Sequence, residues 1–307
     1  MNLEEFYKDK TVLVTGHTGF KGSWLSLWLN ILGAKVIGIS DRVYTEPSHY
    51  EAIKDVFSID LRGDVKNIKE IHDLIDVQKP DFIFHLAAQS IVKTSHKNPF
   101  NTFQTNTLGT VNILESLRKI NPNLIAVLIT SDKSYQNIEK MEGYKEEDKL
   151  GGSDPYSASK AAADIFIESY SKSFFVDDKS KVKISAARAG NVIGGGDWSN
   201  DRIIPDCIKA WSRNKKAIIK NPEAIRPWQH VLEPLSGYLT LGAKLSRDES
   251  LIGEAFNFGP DERDIFTVKE LVQELAKNWS GVKWKFENDS NKIKESMLLN
   301  LNCDKAK

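Results

Sequence analysis

Short runs rich in Val and Ile, separated by stretches with helical spacing, fill the first two thirds of the chain and constrain its fold more than any other feature. The runs are Thr11–Thr15, Lys35–Ile39, Val56–Asp60, Phe82–Leu86, Leu124–Thr130 and Val182–Ala187. Between them the spacing predicts helices at Phe20–Leu32, Asn67–Val77, Pro99–Lys119 and Tyr156–Phe175. Strands covered by helices on both faces read as nearly continuous apolar runs. An α/β fold with a doubly wound parallel sheet follows. Beyond about Asn191 the alternation weakens, and helices are predicted at Ile203–Arg213, Pro234–Leu245 and Thr267–Trp279. This is the pattern of a smaller C-terminal lobe, giving domains at 1–190 and 191–307 with room for the chain to cross between them.

Directly after the first run stands Thr15-Gly16-His17-Thr18-Gly19-Phe20-Lys21-Gly22, and the apolar start of a helix follows at Ser23-Trp24-Leu25. A strand, a glycine-rich turn and a helix in that order aim backbone N–H groups and the positive helix end at a pyrophosphate. The spacing is Gly-x-x-Gly-x-x-Gly, not the Gly-x-Gly-x-x-Gly of the familiar dinucleotide turn. Three glycines alone would also serve a tight turn and helix packing; the flanking strand and helix point to a dinucleotide. The second run leads into Ser40-Asp41-Arg42, where a carboxylate suits a ribose 2′-hydroxyl and an arginine a 2′-phosphate. Gly63-Asp64-Val65 follows the third run. His85-Leu86-Ala87-Ala88-Gln89 closes the fourth, and its small residues let a dinucleotide lie against the backbone.

Tyr156-Ser157-Ala158-Ser159-Lys160 opens a predicted helix, and a separation of four residues puts phenol and ammonium on one face. A neighbouring ammonium favours phenolate and is expected to lower the Tyr156 pKa from its ordinary ~10. The fifth run ends in Thr130-Ser131-Asp132-Lys133-Ser134-Tyr135, which sets hydroxyl, carboxylate and amine at the end of a parallel strand, where open α/β sheets present chemistry. On a surface the same residues would be a solvated helix pair and a polar strand end.

Lys plus Arg and Asp plus Glu number 42 each, so no net field favours nucleic acid or an anionic membrane. No apolar run approaches the ~20 residues a membrane-spanning helix needs, and Met1 to Lys10 lack the apolar core of a signal peptide. Cys207 and Cys303 suggest neither a disulfide framework nor a metal site. A cytoplasmic protein that binds no metal is expected.

The segments Thr15–Ser23, His85–Gln89, Asn106–Thr110, Ser131–Tyr135, Tyr156–Lys160, Arg188–Trp198, Asp201–Asp206 and Arg226–Val231 resemble those of the extended short-chain dehydrogenases/reductases. Within that superfamily they are similar to the nucleotide-sugar 4,6-dehydratases that act on CDP-glucose. The resemblance runs from about Lys10 to Tyr238. It implies NAD as cofactor, held by Gly16, His17, Thr18, Gly19, Phe20, Lys21, Gly22, Asp41, Asp64, Val65, Leu86, Ala87, Ala88, Gln89, Asn106, Tyr156 and Lys160. It implies Ser131, Asp132, Lys133, Tyr156 and Lys160 as the catalytic set, with Tyr156 as base at the sugar C4 hydroxyl, Asp132 as acid at C6 and Lys133 as base at C5. Were Lys133 charged, it would stabilise the enolate instead. Asn191, Arg202 and Arg226 are expected on the nucleotide diphosphate, and Gln89, Ser131, Asp201 and His230 elsewhere on the nucleotide sugar. Trp198 and Trp228 fit packing better than contact with the base.

Two departures bear on these expectations. Related dTDP-glucose enzymes carry Asp-Glu where this chain has Asp132-Lys133. The chain also stops at Asn302–Lys307, where the family continues through a Leu-Gly-Trp turn and a last helix, so a truncated chain is expected. A 4-epimerase or reductase would share the glycines, Tyr156 and Lys160 but has no need of Asp132 and Lys133. A non-catalytic dinucleotide sensor has no need of Ser131, Tyr156 and Lys160 together. In the family, helices equivalent to Pro99–Lys119 and Tyr156–Phe175 pair between subunits, which implies a homodimer or homotetramer.

Overall fold

The computed structural model describes residues 2–177, 179–261, 266–287 and 297–307. The sheet is built from β1 (Thr11–Thr15), β2 (Lys35–Ser40), β3 (Ile59–Arg62), β4 (Phe82–His85), β5 (Leu124–Ile129) and β6 (Val182–Ala189). Around them lie α1 (Leu3–Tyr7), α2 (Phe20–Ile31), α3 (His49–Ile53), α4 (Ile68–Gln78), α5 (Val92–Lys97), α6 (Pro99–Phe103), α7 (Gly109–Ile120) and α8 (Pro155–Tyr170). The chain continues through β7 (Val192–Ile193), α9 (Ile203–Trp211), β8 (Ala217–Ile219), β9 (Ile225–Arg226), β10 (Gln229–His230) and α10 (Leu232–Leu245). It ends with β11 (Ala255–Phe258), β12 (Phe266–Thr267), α11 (Val268–Lys277) and β13 (Trp284–Phe286).

Alternation along the strands sorts the core onto two faces, as the pleat requires. Val12 and Val14 of β1 pack with Leu25 and Leu29 of α2 and Leu235 and Leu239 of α10. Leu13, between them, faces the other way and packs with Ile71 and Ile75 of α4 and Ile113 and Leu117 of α7. Because both faces are covered, β1 and β4 are buried almost end to end.

The seven-stranded sheet has the order β11-β6-β5-β4-β1-β2-β3, and every neighbouring pair is parallel. The chain runs outward from β1 to β3, then returns to β4 on the other side of β1. This reversal opens a crevice at the carboxyl ends of β1 and β4, the place where such sheets bind ligands.

Three expectations need correction. The third strand is Ile59–Arg62, not Val56–Asp60, because Lys54–Val56 winds into a 3-10 turn and Ile59 pairs with Ile37. Each long predicted helix changes to a π turn, at Gln104–Leu108 and at Ser171–Phe175. The sheet also gains β11, which lies beside β6, so chain beyond residue 191 returns to the sheet.

A second cluster forms where α9, β8 and α11 meet, around Cys207, Trp211, Ile219, Val268 and Val272. A third joins Tyr135 and Tyr144 to Leu299, Leu301 and Cys303 near the end of the chain. No helix among the described residues is long and apolar enough to cross a membrane.

Candidate active site

The turn between β1 and α2 is packed too tightly for a side chain at Gly16 or Gly22. Gly16 has φ +75°, and a Cβ on it would stand 2.7 Å from the backbone nitrogen of Ala87. Gly19 is the N-cap of α2 and offers no side-chain hydrogen bond to the first helical turn. The helix therefore presents its N-terminal N–H groups to the crevice, which is the cradle a pyrophosphate fits.

The His85–Gln89 segment is fixed by a chain of hydrogen bonds whose polarity can be deduced. Thr110 donates its one hydroxyl proton to the Asn106 carbonyl (2.8 Å), so at 3.2 Å it must accept from His85 Nε2. His85 is then the Nε2–H tautomer, and its Nδ1 accepts from Thr15 Oγ1 at 2.7 Å. Thr15 Oγ1 in turn accepts from Ala87 N at 3.2 Å. Asn106 completes the set, donating to the Gln89 carbonyl and Ser159 Oγ and accepting from Gln89 N. Leu86, Ala87, Ala88 and Gln89 are held half-buried along the crevice.

Other residues expected at the cofactor divide into two groups. Thr18 fastens the turn to the end of β2, its hydroxyl donating to the Arg42 carbonyl. Asp41 stands at that strand end, accepting from Tyr44 at 2.7 Å and Arg42 at 3.1 Å. Asp64 accepts from Lys66 N, Val65 packs beneath Gly109, and Phe20 borders Gly194. The His17 side chain turns away into the sheet, bonded to Ser40 and Asp60, and burial lowers its pKa. Its backbone stays in the turn. Lys21 extends in the opposite direction, toward Tyr238 on α10.

The catalytic candidates converge from β5 and α8. Ser131 caps the short turn Asp132–Ser134, accepting from Lys133 N and donating to Asp132 Oδ1 at 2.9 Å. Asp132 is 3% exposed, and its Oδ2 is buried with no hydrogen-bond partner among the described residues. The hydroxyls of Thr130 and Ser134 are likewise unmatched. An unmatched buried carboxylate oxygen is costly and marks a place built to receive a donor. Lys133 is half-buried beside it.

Asp154 caps α8 through Tyr156 N and Ser157 N at 3.0 Å each, and Pro155 fills the first helical position. This sets Tyr156 at the mouth of the crevice, with Lys160 one turn below it. Lys160 donates to the Ile129 carbonyl at 3.2 Å, and burial pushes its pKa down to about 8. The Tyr156 pKa is raised, not lowered as the sequence led one to expect. Burial is the largest cause and the Ser131 hydroxyl opposes it; Asp132 pushes further up and Arg202 down. With its ammonium drawn to a backbone carbonyl, Lys160 is not among the groups that move the phenol most.

The nucleotide-sugar candidates lie on the far side. Arg202 precedes α9 with Nε 3.8 Å from Asp197 and buried without a hydrogen bond. Asn191 precedes β7 and its carbonyl accepts from Gln229 N of β10 at 3.1 Å, while His230, which is exposed, pairs with Ile193. Arg226 is buried and donates to the Ile225 carbonyl at 2.8 Å. Asp201, in the left-handed region at φ 59°, pairs with Lys93. The Gln89 side chain donates to Thr102 and accepts from Ile91 N, so in this state both ends are occupied.

Sequence reasoning missed Thr130, Ser134 and Tyr238. A hydroxyl at a strand end and a tyrosine in an apolar helix carry no signal of their own. Among the described residues no group of His, Cys, Asp and Glu could hold a metal.

A parallel sheet with this strand order, a Gly-x-x-Gly-x-x-Gly turn and a Tyr-x-x-x-Lys helix define an extended short-chain dehydrogenase/reductase. The chain belongs to the GDP-mannose 4,6 dehydratase family, whose model matches residues 13–295. CDP-glucose 4,6-dehydratase of Salmonella typhimurium is 41% identical to it, over 99% of this chain and 86% of that protein. CDP-paratose 2-epimerase of Salmonella typhi is 27% identical over 90% of this chain and 86% of its own length. The structure of dTDP-glucose 4,6-dehydratase from Bacillus anthracis, in complex with NAD, superposes with a TM-score of 0.78 at 22% identity, covering 97% of this chain and 89% of that one.

Proposed function

We propose that this protein is an NAD-dependent dehydratase that converts CDP-D-glucose to CDP-4-keto-6-deoxy-D-glucose. The observation that carries the reading is the buried, unmatched carboxylate oxygen of Asp132 in the same crevice as Tyr156, at the switch point of the sheet. An epimerase needs the tyrosine but has no hydroxyl to expel. The relative that is 41% identical over 99% of this chain is a CDP-glucose 4,6-dehydratase.

NAD fits the uncapped start of α2 and the side-chain-free turn at Gly16, and when bound it supplies the acceptor that takes hydride from C4 and returns it to C6. Gly16 to Gly22, Asp41, Asp64, Val65, Leu86 to Gln89 and Asn106 are the residues that would hold it. Tyr156 removes the proton of the 4-hydroxyl, supported by Ser131 and Lys160. The resulting ketone acidifies the C5 proton, which Lys133 accepts. The proton that Tyr156 removed passes to the Asp132 carboxylate, which gives it to the 6-hydroxyl, so the C6–O bond breaks, water leaves and both groups are reset. Lys133 then returns a proton to C5, so the net change is loss of one water.

Arg202, whose Nε makes no hydrogen bond among the described residues, suits a diphosphate oxygen, and Asn191, Arg226, Asp201 and His230 complete the nucleotide-sugar side. We also propose a homodimer built on the α7–α8 face, where Leu108, Ile165 and Phe166 are 51%, 53% and 39% exposed. Two buried, unpaired cysteines accord with a reducing cytoplasm.

The deciding experiment supplies CDP-glucose carrying deuterium at C4. Recovery of the label at C6 of a 6-deoxy product is expected. Label retained at C4, or product that keeps its 6-hydroxyl, refutes the reading. Parallel turnover with dTDP- and GDP-glucose checks the base, with CDP-glucose expected to be fastest.

A further inference from the structure

Lys21 belongs by position to the glycine-rich turn, yet its ammonium leaves that turn and enters the sugar side of the crevice. Its Nζ donates to the hydroxyl of Tyr238 at 3.4 Å and lies 5.8 Å from the centre of that ring. Tyr238 is fully buried on α10, and its phenol is pushed up by burial and then by Tyr156 and Asp132. The two catalytic groups are therefore its electrostatic neighbours.

Four parts of the chain meet here: the start of α2, the middle of α10, the start of α8 and the turn after β5. Lys21 is driven down to about 8 by burial, then by Lys160 and Arg202, while Asp132 opposes. Lys21 thus feels two other cations and one carboxylate. A turn that grips a dinucleotide through its backbone has no use for a half-buried ammonium, and placing one near two other cations opposes folding. Such a charge is retained for what it does in the site.

We propose that Lys21, seated on Tyr238, is a positioning residue of the dehydration step, acting through Asp132 and Tyr156 to set the charge under which the C5 proton and the C6 hydroxyl depart. Negative charge develops on the C4 oxygen as the C5 proton leaves. A preorganised cation in the same site lowers the energy of that state. The inference deepens the dehydratase reading and rests on it for its chemistry.

The test has an arm that needs no turnover. In protein labelled with 13C at lysine Cε, the Lys21 signal is identified by its loss in Lys21→Met. It is expected to titrate near pH 8 and to move lower in Asp132→Asn, which removes the one opposing charge. In the second arm, at saturating NAD, Lys21→Met is expected to lower kcat for CDP-glucose by about tenfold or more, with KM changed by less than about threefold. Lys21→Arg is expected to recover most of the rate and to keep it further into alkaline solution than the wild type, because a guanidinium does not lose its proton there. Tyr238→Phe, which removes the ammonium's seat, is expected to fall between the wild type and Lys21→Met.

A Lys21 signal in the ordinary lysine range that ignores Asp132→Asn overturns the inference. So does a Lys21→Met enzyme with wild-type kcat and pH profile and only altered dinucleotide affinity. A wild-type protein that leaves CDP-glucose untouched would count against the proposed function, while the titration would still decide the placement of Lys21.

Discussion

A Cβ on Gly22 would stand 2.8 Å from the carbonyl carbon of Gly16, closer than real side chains approach a backbone. The first turn of α2 and the loop before it are therefore one packed unit, and the helix start can reach a pyrophosphate only while they stay together. Gly22→Ala is expected to push the loop off its place, weakening NAD binding by at least about tenfold, or ~1.4 kcal/mol. Overpacking should also cost about 1–3 kcal/mol of stability. Calorimetric titration with NAD and a thermal melt would measure the two effects, and unchanged NAD affinity would contradict the assignment of the cradle.

Asp132 and Tyr156 divide the reaction, so one half can be stopped without the other. Asp132→Asn keeps the shape and the Ser131 contact but leaves no proton to give to the 6-hydroxyl. Oxidation at C4 should continue while loss of water slows by about 10²-fold or more, the range for removal of a general acid. Enzyme-bound NADH absorbance should then accumulate on mixing with CDP-glucose. Tyr156→Phe should show no such absorbance.

Much of this was legible before any coordinates. The unbroken apolar run at Val12, Leu13 and Val14 told of a strand covered on both faces, and in the structure Val12 and Val14 pack on one side of the sheet and Leu13 on the other. The third strand was misplaced because an edge strand alternates half-buried with exposed positions, so Ile59 and Leu61 give a weaker apolar run than the flanking Val56 and Phe57. β11 was overlooked because it is four residues long and carries the buried polar Asn257, whose partners Tyr135, Tyr144 and Asn302 lie far off in sequence. Residue types suggested a candidate catalytic set that the fold brings into one crevice, but neither the direction of Lys21 nor the inward turn of His17 follows from the order of the turn. Both depend on which elements pack above and below it.

Lys160 carries a stability cost whose sign can be checked. Its folded pKa of about 8 lies below the ordinary 10.5, so folding disfavours the charged form. Below about pH 8 the full penalty applies, on the order of 3 kcal/mol, and it fades as pH rises toward 10.5, where the unfolded chain binds more protons than the folded one. The lost bond to the Ile129 carbonyl offsets about 1 kcal/mol of any gain on removal. Lys160→Met is therefore expected to melt higher than the wild type at pH 7, with the difference shrinking by pH 10, while turnover collapses. A variant no more stable at pH 7 would contradict the burial argument.

His85 gives a slope of the same sign, in acid. It is buried and neutral with a folded pKa of about 3, and its Nδ1 must stay bare to accept from Thr15. Between about pH 6.5 and 3 the unfolded chain binds a proton that the folded chain refuses, so stability falls as pH falls, by up to about 1.4 kcal/mol per pH unit. Urea unfolding followed from pH 7 to pH 4 should show this decline. In His85→Gln, less stable at neutral pH, the slope should be smaller by about one proton, and an unchanged slope would assign the acid sensitivity to other groups.

Leu108, at the end of the π turn before α7, and Ile165 and Phe166 of α8 are exposed apolar residues beside helices that already cover the sheet with their other faces. The inner face is spent on Ile113, Leu114, Leu117 and Ile167, so burying the outer residues requires another molecule. A two-fold axis between two copies buries each patch against its own twin, and a closed dimer leaves no patch to propagate. Leu108→Asp combined with Ile165→Glu should then yield a monomer by multi-angle light scattering, against a dimer or larger assembly for the wild type. Because Ser159 and Lys160 lie on the same α8 as Ile165, the monomer is also expected to lose activity, and restoring association by raising protein concentration should recover part of it. A wild-type protein that remains monomeric at micromolar concentration would remove the basis for the pairing.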